Sequence, residues 1–102
     1  MEIVFKDDDL DRLEIDPNFT ANLSQALVKA FRKKMQIIRA ANDERDLYGL
    51  RSLHFEALEE DKRKGQYSIR LNDQYRLIFE LIQGNPNPKT KTVNILCIED
   101  YH

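Results

Sequence analysis

The stretch GQYSIRLNDQYRLIFELI, residues 65–82, decides the fold class of this chain. Tyrosine, phenylalanine, isoleucine and leucine recur in two runs, which the polar pair Asn72-Asp73 separates. This composition predicts two strands joined by a short turn. Arg70 and Arg76 lie among the apolar residues of these strands. Because an unpaired cation inside a sheet layer is costly, each arginine either reaches water or awaits an anion.

The turn determines whether the two arginines can act together. Side chains alternate between the faces of a strand, so a two-residue loop at Asn72-Asp73 would place Arg70 and Arg76 on opposite faces. A three-residue loop would place them on the same face. The sequence leaves both arrangements open.

The rest of the chain predicts an α+β fold. Helical spacing predicts a short helix within 7–16 and an amphipathic helix of roughly 20 residues that starts near Ala21 with Thr20 as its cap. The segment 47–50 reads as a short turn, either helical or not, and 83–91 as a loop with two prolines. Helices followed by consecutive strands predict helices packed on one face of a small antiparallel sheet with a mixed edge. Strand composition recurs at 2–5, 65–71, 74–82 and 92–99, the last a central strand, and weakly at 51–58.

Length and composition exclude several classes of protein. A chain of 102 residues suits one domain, 1–102. The only cysteine, Cys97, excludes an internal disulfide and a zinc site built on paired cysteines, and two histidines are too few for a histidine cage. We therefore expect no metal. Because the sequence has neither a long apolar run nor a signal peptide, we expect no membrane segment and a cytoplasmic location.

Charge is unevenly distributed along a chain with a net charge of −2. Residues 62–76 hold five bases and a single acid, Asp73, which can create a local positive field. The alternative is that such charge blocks are simply solvated faces of the protein, and charge alone favours that alternative.

Three stretches together carry a family resemblance: LHF at 53–55, KGQYSIRLNDQYRLIFEL at 64–81 and VNILCIEDYH at 93–102. They resemble the HigB branch of the RelE/ParE superfamily of bacterial toxins, whereas residues 1–50 match only in the order of elements. The resemblance implies a RelE-like α+β fold and an endonuclease that cleaves messenger RNA in the ribosomal A site, beside the 16S rRNA, without metal or other cofactor. It also implies a helix-turn-helix (HigA-like) antitoxin as partner in a bacterial cytoplasm.

The resemblance further implies the active site. Asp100, Tyr101 and His102 stand where the HigB pattern has active-site residues, and Arg76 matches an arginine that we assign to the scissile phosphate. His54 is a weaker match, because its spacing to the following basic stretch is longer. Cleavage by the ribose 2′-hydroxyl needs a base, an acid and fixed cations, which histidine and arginine supply.

Further candidates for RNA contact follow from the same resemblance. The cations Arg70, Lys62, Arg63 and Lys64 would meet phosphates, and Tyr67 would stack on a base or else belong to the core. The pair Glu59-Glu60 replaces a lysine and a glycine of the pattern.

Several alternatives remain open at this point. His54 could be a half-buried strand residue, Arg76 an edge arginine that reaches solvent, and His102 a frayed end. The protein could also be a binding-type inhibitor like the gyrase-inhibiting ParE relatives, or a catalytically weakened toxin neutralised by its antitoxin.

Overall fold

The computed structural model of the chain describes residues 1–83 and 91–100. Within these ranges lie five strands, three α-helices and two short 3₁₀ turns. The strands are β1 Glu2–Phe5, β2 Glu56–Ala57, β3 Gln66–Arg70, β4 Tyr75–Gln83 and β5 Lys91–Asp100. The helices are α1 Asp8–Ile15, α2 Gln25–Ala40 and α3 Glu44–Tyr48, and the 3₁₀ turns are Arg51–Leu53 and Asp61–Arg63.

The strands form one sheet in the order β1-β5-β4-β3-β2. β1 runs parallel to β5, and the other neighbours are antiparallel. The predicted α+β fold, with an antiparallel sheet that has a mixed edge, is therefore confirmed. β5 lies between β1 and β4, as its composition predicted.

The register divides the sheet into two faces. Ile69 pairs with Leu77, and Leu77 pairs with Ile98, so these side chains share what we call the helix face. The fully buried Leu13 of α1 and Phe31 of α2 pack in the same core. The opposite face, here the outer face, carries Gln66, Ser68, Arg70, Arg76, Ile78, Glu80, Cys97 and Glu99. One layer of helices therefore covers one side of the sheet and leaves the other for charged side chains.

The prediction that α2 starts near Ala21 with Thr20 as its cap is wrong. The helix begins at Gln25, and the Ser24 hydroxyl caps it by accepting from the Leu27 amide at 3.1 Å. Ala21 and Asn22 have φ angles of 51° and 62°, in the left-handed region, where a right-handed helix cannot continue. Apolar spacing from residue 23 concealed this turn, because Leu23 packs on the core from outside the helix.

The weak strand prediction for 51–58 is largely wrong as well. The Arg51–Leu53 turn is followed by His54 at φ 48°, and only Glu56–Ala57 pairs with β3. Leu53 and Phe55 are both buried, which mimics the alternation of a strand although the backbone between them is left-handed. The expected turn at 47–50 is in part the short helix α3.

Two further predictions concern the remaining segments. The predicted proline loop at 83–91 falls mainly on residues 84–90, which lie outside the described residues. In the described part of the chain, no helix combines the length and the apolar character needed to cross a membrane.

Candidate functional site on the outer face

Leu71 and Tyr75 close the turn between β3 and β4, so its loop is the three residues 72–74 and places Arg70 and Arg76 on one face. The Leu71 amide donates to the Tyr75 carbonyl at 2.9 Å, and Arg70 and Arg76 are direct cross-strand partners. The Asn72 side-chain oxygen accepts from the amides of Gln74 at 2.9 Å and Tyr75 at 2.8 Å. Asn72 therefore fixes the turn length that the sequence left open.

Arg70 bends back over this turn. Its guanidinium forms an ion pair with Asp73, and its Nε donates to the Asn72 carbonyl at 3.3 Å. Its Nη1 lies 3.5 Å from Nε2 of His54. His54 is exposed on its left-handed residue, so it meets Arg70 at the end of the hairpin rather than from within a strand. The structure thus brings together two of the predicted site residues.

Arg76 occupies the middle of a row of charges. It lies between Arg70 of β3 and Glu99 of β5 in the register, and its Nη1 is buried. Glu99 also forms an ion pair with Arg63, which raises the pKa of that guanidinium. Neighbouring like charges across strands are unfavourable, and the flanking carboxylates Asp73 and Glu99 offset them here.

Asp100 ends β5 at the same end of the sheet. It pairs in register with Tyr75, and its carboxylate accepts from the Gln74 side-chain amide at 3.1 Å. Tyr101 and His102 lie outside the described residues, so their predicted place in the site stays a prediction.

The other predicted RNA contacts are divided between two surfaces. Lys62 and Arg63 line a groove on the outer face, and Lys64 follows them at the end of the 3₁₀ turn. Tyr67 is not brought to this surface. It lies on the helix face, where its ring stacks on Phe55 at 5.4 Å and Phe79 at 6.2 Å between centroids.

Sequence reasoning missed Glu99, because a β-bulge changes the alternation of β5. Ile78 pairs with Cys97, whereas Phe79 pairs with Ile95, so Leu96 is an additional residue in the strand. Counting alternate residues from the buried Val93 and Ile95 would place Glu99 on the helix face. The low alternation of this strand in the sequence is the signal that could have indicated the bulge.

The described residues contain no group of three or more histidine, cysteine, aspartate or glutamate side chains arranged to hold a metal ion. What they offer on the outer face is a set of guanidinium groups with carboxylates between them and one imidazole at the end. Such a set can bind an anion with several oxygens, because guanidinium groups bind phosphate in a bidentate way.

Comparison with known proteins identifies the family. A family model described as the RelE-like toxin of the type II toxin–antitoxin system HigB matches residues 3–94. Toxin HigB-1 of Vibrio cholerae serotype O1 is 37% identical over 84 residues, which cover 82% of this chain and 87% of that protein. The chain belongs to the HigB-like toxins. Because type II toxins are paired with antitoxins, membership of this family implies an antitoxin partner for this HigB-like toxin.

A solved structure supports the fold. The YoeB/ParE toxin from Agrobacterium tumefaciens matches with a TM-score of 0.62 over 100% of both chains, at 15% sequence identity. At that identity the likeness shows the shared RelE-like fold alone. The family match contains His54, Arg70 and Arg76 of this HigB-like toxin and ends before Asp100.

Proposed function

We propose that this toxin is a metal-independent, ribosome-dependent endonuclease that cleaves translated messenger RNA and so inhibits translation. The observation that supports this best is the cross-strand pair Arg70 and Arg76, with His54 beside Arg70, on the face that the helices leave uncovered. The family of the chain supports the same function.

The two arginines would hold the scissile phosphate. During attack by the ribose 2′-hydroxyl, negative charge increases on the phosphoryl oxygens, and cations fixed in place stabilise that charge. Arg70 and Arg76 repel each other unless an anion lies between or beside them. In the free protein, the carboxylates of Asp73 and Glu99 offset the repulsion between the two arginines. In the complex, the phosphate would offset it instead.

Proton transfer would fall to the histidines. A base must accept the proton of the 2′-hydroxyl, and an acid must protonate the departing 5′-oxygen. His54 stands beside Arg70, and we assign His102, with Tyr101 and Asp100 before it, to the same end of the sheet. Imidazole suits both roles near neutral pH.

The partners follow from this function. The message would be bound in the ribosomal A site beside the 16S rRNA, in the bacterial cytoplasm, with Arg63, Lys62 and Lys64 contacting the RNA backbone. A helix-turn-helix antitoxin of the HigA type would neutralise the toxin.

The test is induction of the chain in growing bacteria, followed by mapping of new messenger-RNA 5′ ends. The wild-type chain should arrest growth and produce cleavage inside translated codons, and His102→Ala and Arg76→Ala should lose both at equal protein levels. Arg45→Ala is the matched control, because Arg45 of α3 is 86% exposed and pairs with Asp43, the residue that caps α3, away from the outer face. It should cleave like the wild type.

A binding-type or catalytically weakened toxin is the second candidate. Two observations favour it. Arg63 and Arg70 are each already ion-paired with a carboxylate, and the exposed carboxylates of Glu59 and Glu60 would repel RNA. Growth arrest without new 5′ ends, unchanged in His102→Ala, would contradict the nuclease and support inhibition by binding.

A further inference from the structure

A groove on the outer face adjoins the row of arginines, to which the Arg63–Glu99 ion pair connects it, and has walls of opposite charge. One wall is Lys6 and Asp7 of the connection from β1 to α1, with Asp8 and Asp9 of the first turn of α1, and the other is the 3₁₀ turn with Lys62 and Arg63. Its floor is formed by Gln66, Ile78, Leu96 and Cys97. The groove encloses about 690 Å³, within the range of roughly 300–1,000 Å³ typical of small-ligand sites.

Two features of the fold create this groove. β1 stops pairing with β5 at Ile95, so the strand continues beyond the edge that β1 protects. The bulge at Leu96 falls at the same point and presents Leu96 and Cys97 together to the groove. Bulges commonly redirect side chains next to functional sites.

The two walls would orient a strand of RNA. The carboxylates of Asp8 and Asp9 repel phosphates, whereas Lys62 attracts them and Arg63, which is ion-paired with Glu99, adds a second basic group to that wall. A nucleotide in the groove would therefore place its phosphate on the basic side and its base towards the aspartates. Asp7 is already engaged, because its side chain accepts from the Asp9 amide at 2.8 Å.

The floor suits the flat surface of a base. Leu96 is partly exposed and Cys97 is exposed, so these two side chains offer the surface, whereas Ile78 is 2% exposed and leaves almost none for a base. The Gln66 side-chain amide adds one donor group and one acceptor to the floor. Carboxylates accept hydrogen bonds only, so Asp8 and Asp9 favour a base edge that carries an amino group.

We infer that this groove is a nucleotide subsite that selects amino-bearing bases, guanine, cytosine or adenine, over uracil. The inference rests on the proposed function, because it assigns a neighbouring nucleotide of the same RNA to a second position on the outer face. It gives Asp8 and Asp9 a role in base selection and leaves the chemistry to the arginines and histidines.

Cys97 supplies a direct probe, since it is the chain's only cysteine and lies in the groove floor. The purified chain is treated with N-ethylmaleimide in the presence of GMP, CMP, AMP or UMP, or of inorganic phosphate at equal ionic strength. At roughly ten times its Kd, an amino-bearing nucleotide should slow alkylation about tenfold, because the free fraction of the protein is 1/(1 + [L]/Kd). UMP should protect only at higher concentration, and phosphate should not protect.

Asp8→Asn/Asp9→Asn tests the acidic wall, and Asp11→Asn is the matched control. Asp11 is also in the first turn of α1 but does not line the groove. The double variant should bind all four nucleotides with nearly equal Kd, whereas Asp11→Asn should keep the preference against UMP. Equal protection by UMP and GMP in the wild type, or equal protection by phosphate, would overturn the inference.

The assay separates this inference from the proposed function, since it involves neither a ribosome nor cleavage. Selective protection of Cys97 in a chain that fails to cleave messages would leave the subsite standing and refute the nuclease. Message cleavage without any protection of Cys97 would refute the subsite alone.

Discussion

The two faces of the sheet are formed by alternate residues of the same strands, and they differ in polarity: one is apolar and buried, the other largely charged. On the helix face, Ile69, Leu77 and Phe79 are fully buried against the helices. On the outer face, one residue away along the strands, Arg70 and Arg76 lie among carboxylates. Alternation along a strand thus separates the residues that are buried in the core from the charged residues of the outer face, so each set can be changed without the other.

The largest expected effect is on the helix face. Phe79→Ala should lower the free energy of unfolding by about 3–5 kcal/mol, because it removes a fully buried ring from the core. Ile82→Ala is the control on the outer face, where Ile82 is 46% exposed, and should change stability by less than about 1 kcal/mol. Urea denaturation of both variants measures the difference. Similar losses of unfolding free energy would contradict the unequal contribution of the two faces to stability.

The next effect is on function rather than stability. Arg76→Ala should reduce message cleavage by about 10²–10³-fold, because a fixed cation is lost where negative charge develops. Arg76→Lys keeps the charge but not the bidentate fork, so it should recover only part of the rate. Cleavage is compared at equal folded protein, and full activity of Arg76→Lys would show that charge alone suffices.

A smaller effect should come from the turn. Asp73→Asn frees the Arg70 guanidinium from an ion pair in which Asp73 is 92% exposed. Such pairs are worth at most about 1 kcal/mol, so RNA affinity should rise by no more than roughly fivefold. Binding to a short RNA measures this, and weaker binding would indicate that Asp73 positions Arg70 for its ligand.

The smallest effect is a shift in the pH dependence of Cys97 alkylation. Burial first, and Glu99 second, raise the pKa of this thiol, so its thiolate forms at higher pH than that of an ordinary cysteine. Glu99→Gln removes one cause of the rise, and the midpoint of the rate against pH should move downward. Glu56→Gln, an exposed outer-face variant, serves as control, and an unchanged midpoint in Glu99→Gln would exclude Glu99 as a neighbour of the thiol.

Sequence reasoning predicted the elements better than their relation to one another. The hairpin at 65–82 was predictable because its aromatic and branched residues suit only a half-buried sheet. The start of α2 was not, because Leu23 continues the apolar spacing across a left-handed turn at Ala21 and Asn22. The spacing of apolar residues predicts which side chains are buried, but it does not predict the backbone conformation between them.

For the candidate site, the sequence indicates residue types but not which of them are neighbours. The sequence indicated arginines and a histidine, but their proximity depends on two local details. Asn72 closes a three-residue turn that aligns Arg70 with Arg76, and the bulge at Leu96 turns Glu99 towards them. The turn and the bulge each depend on a few local hydrogen bonds, and amino-acid composition does not predict those bonds.

The pairing of β1 with β5 has a consequence for the timing of assembly. These are the first and last of the five described strands in chain order, so the sheet closes only after β5 has been synthesised. Contacts so distant in sequence slow folding, because the entropy of loop closure opposes them. Glu99 belongs to β5, so the row of charges around Arg76 is also completed last. A partly synthesised chain therefore carries the arginines but not the surface that they form together.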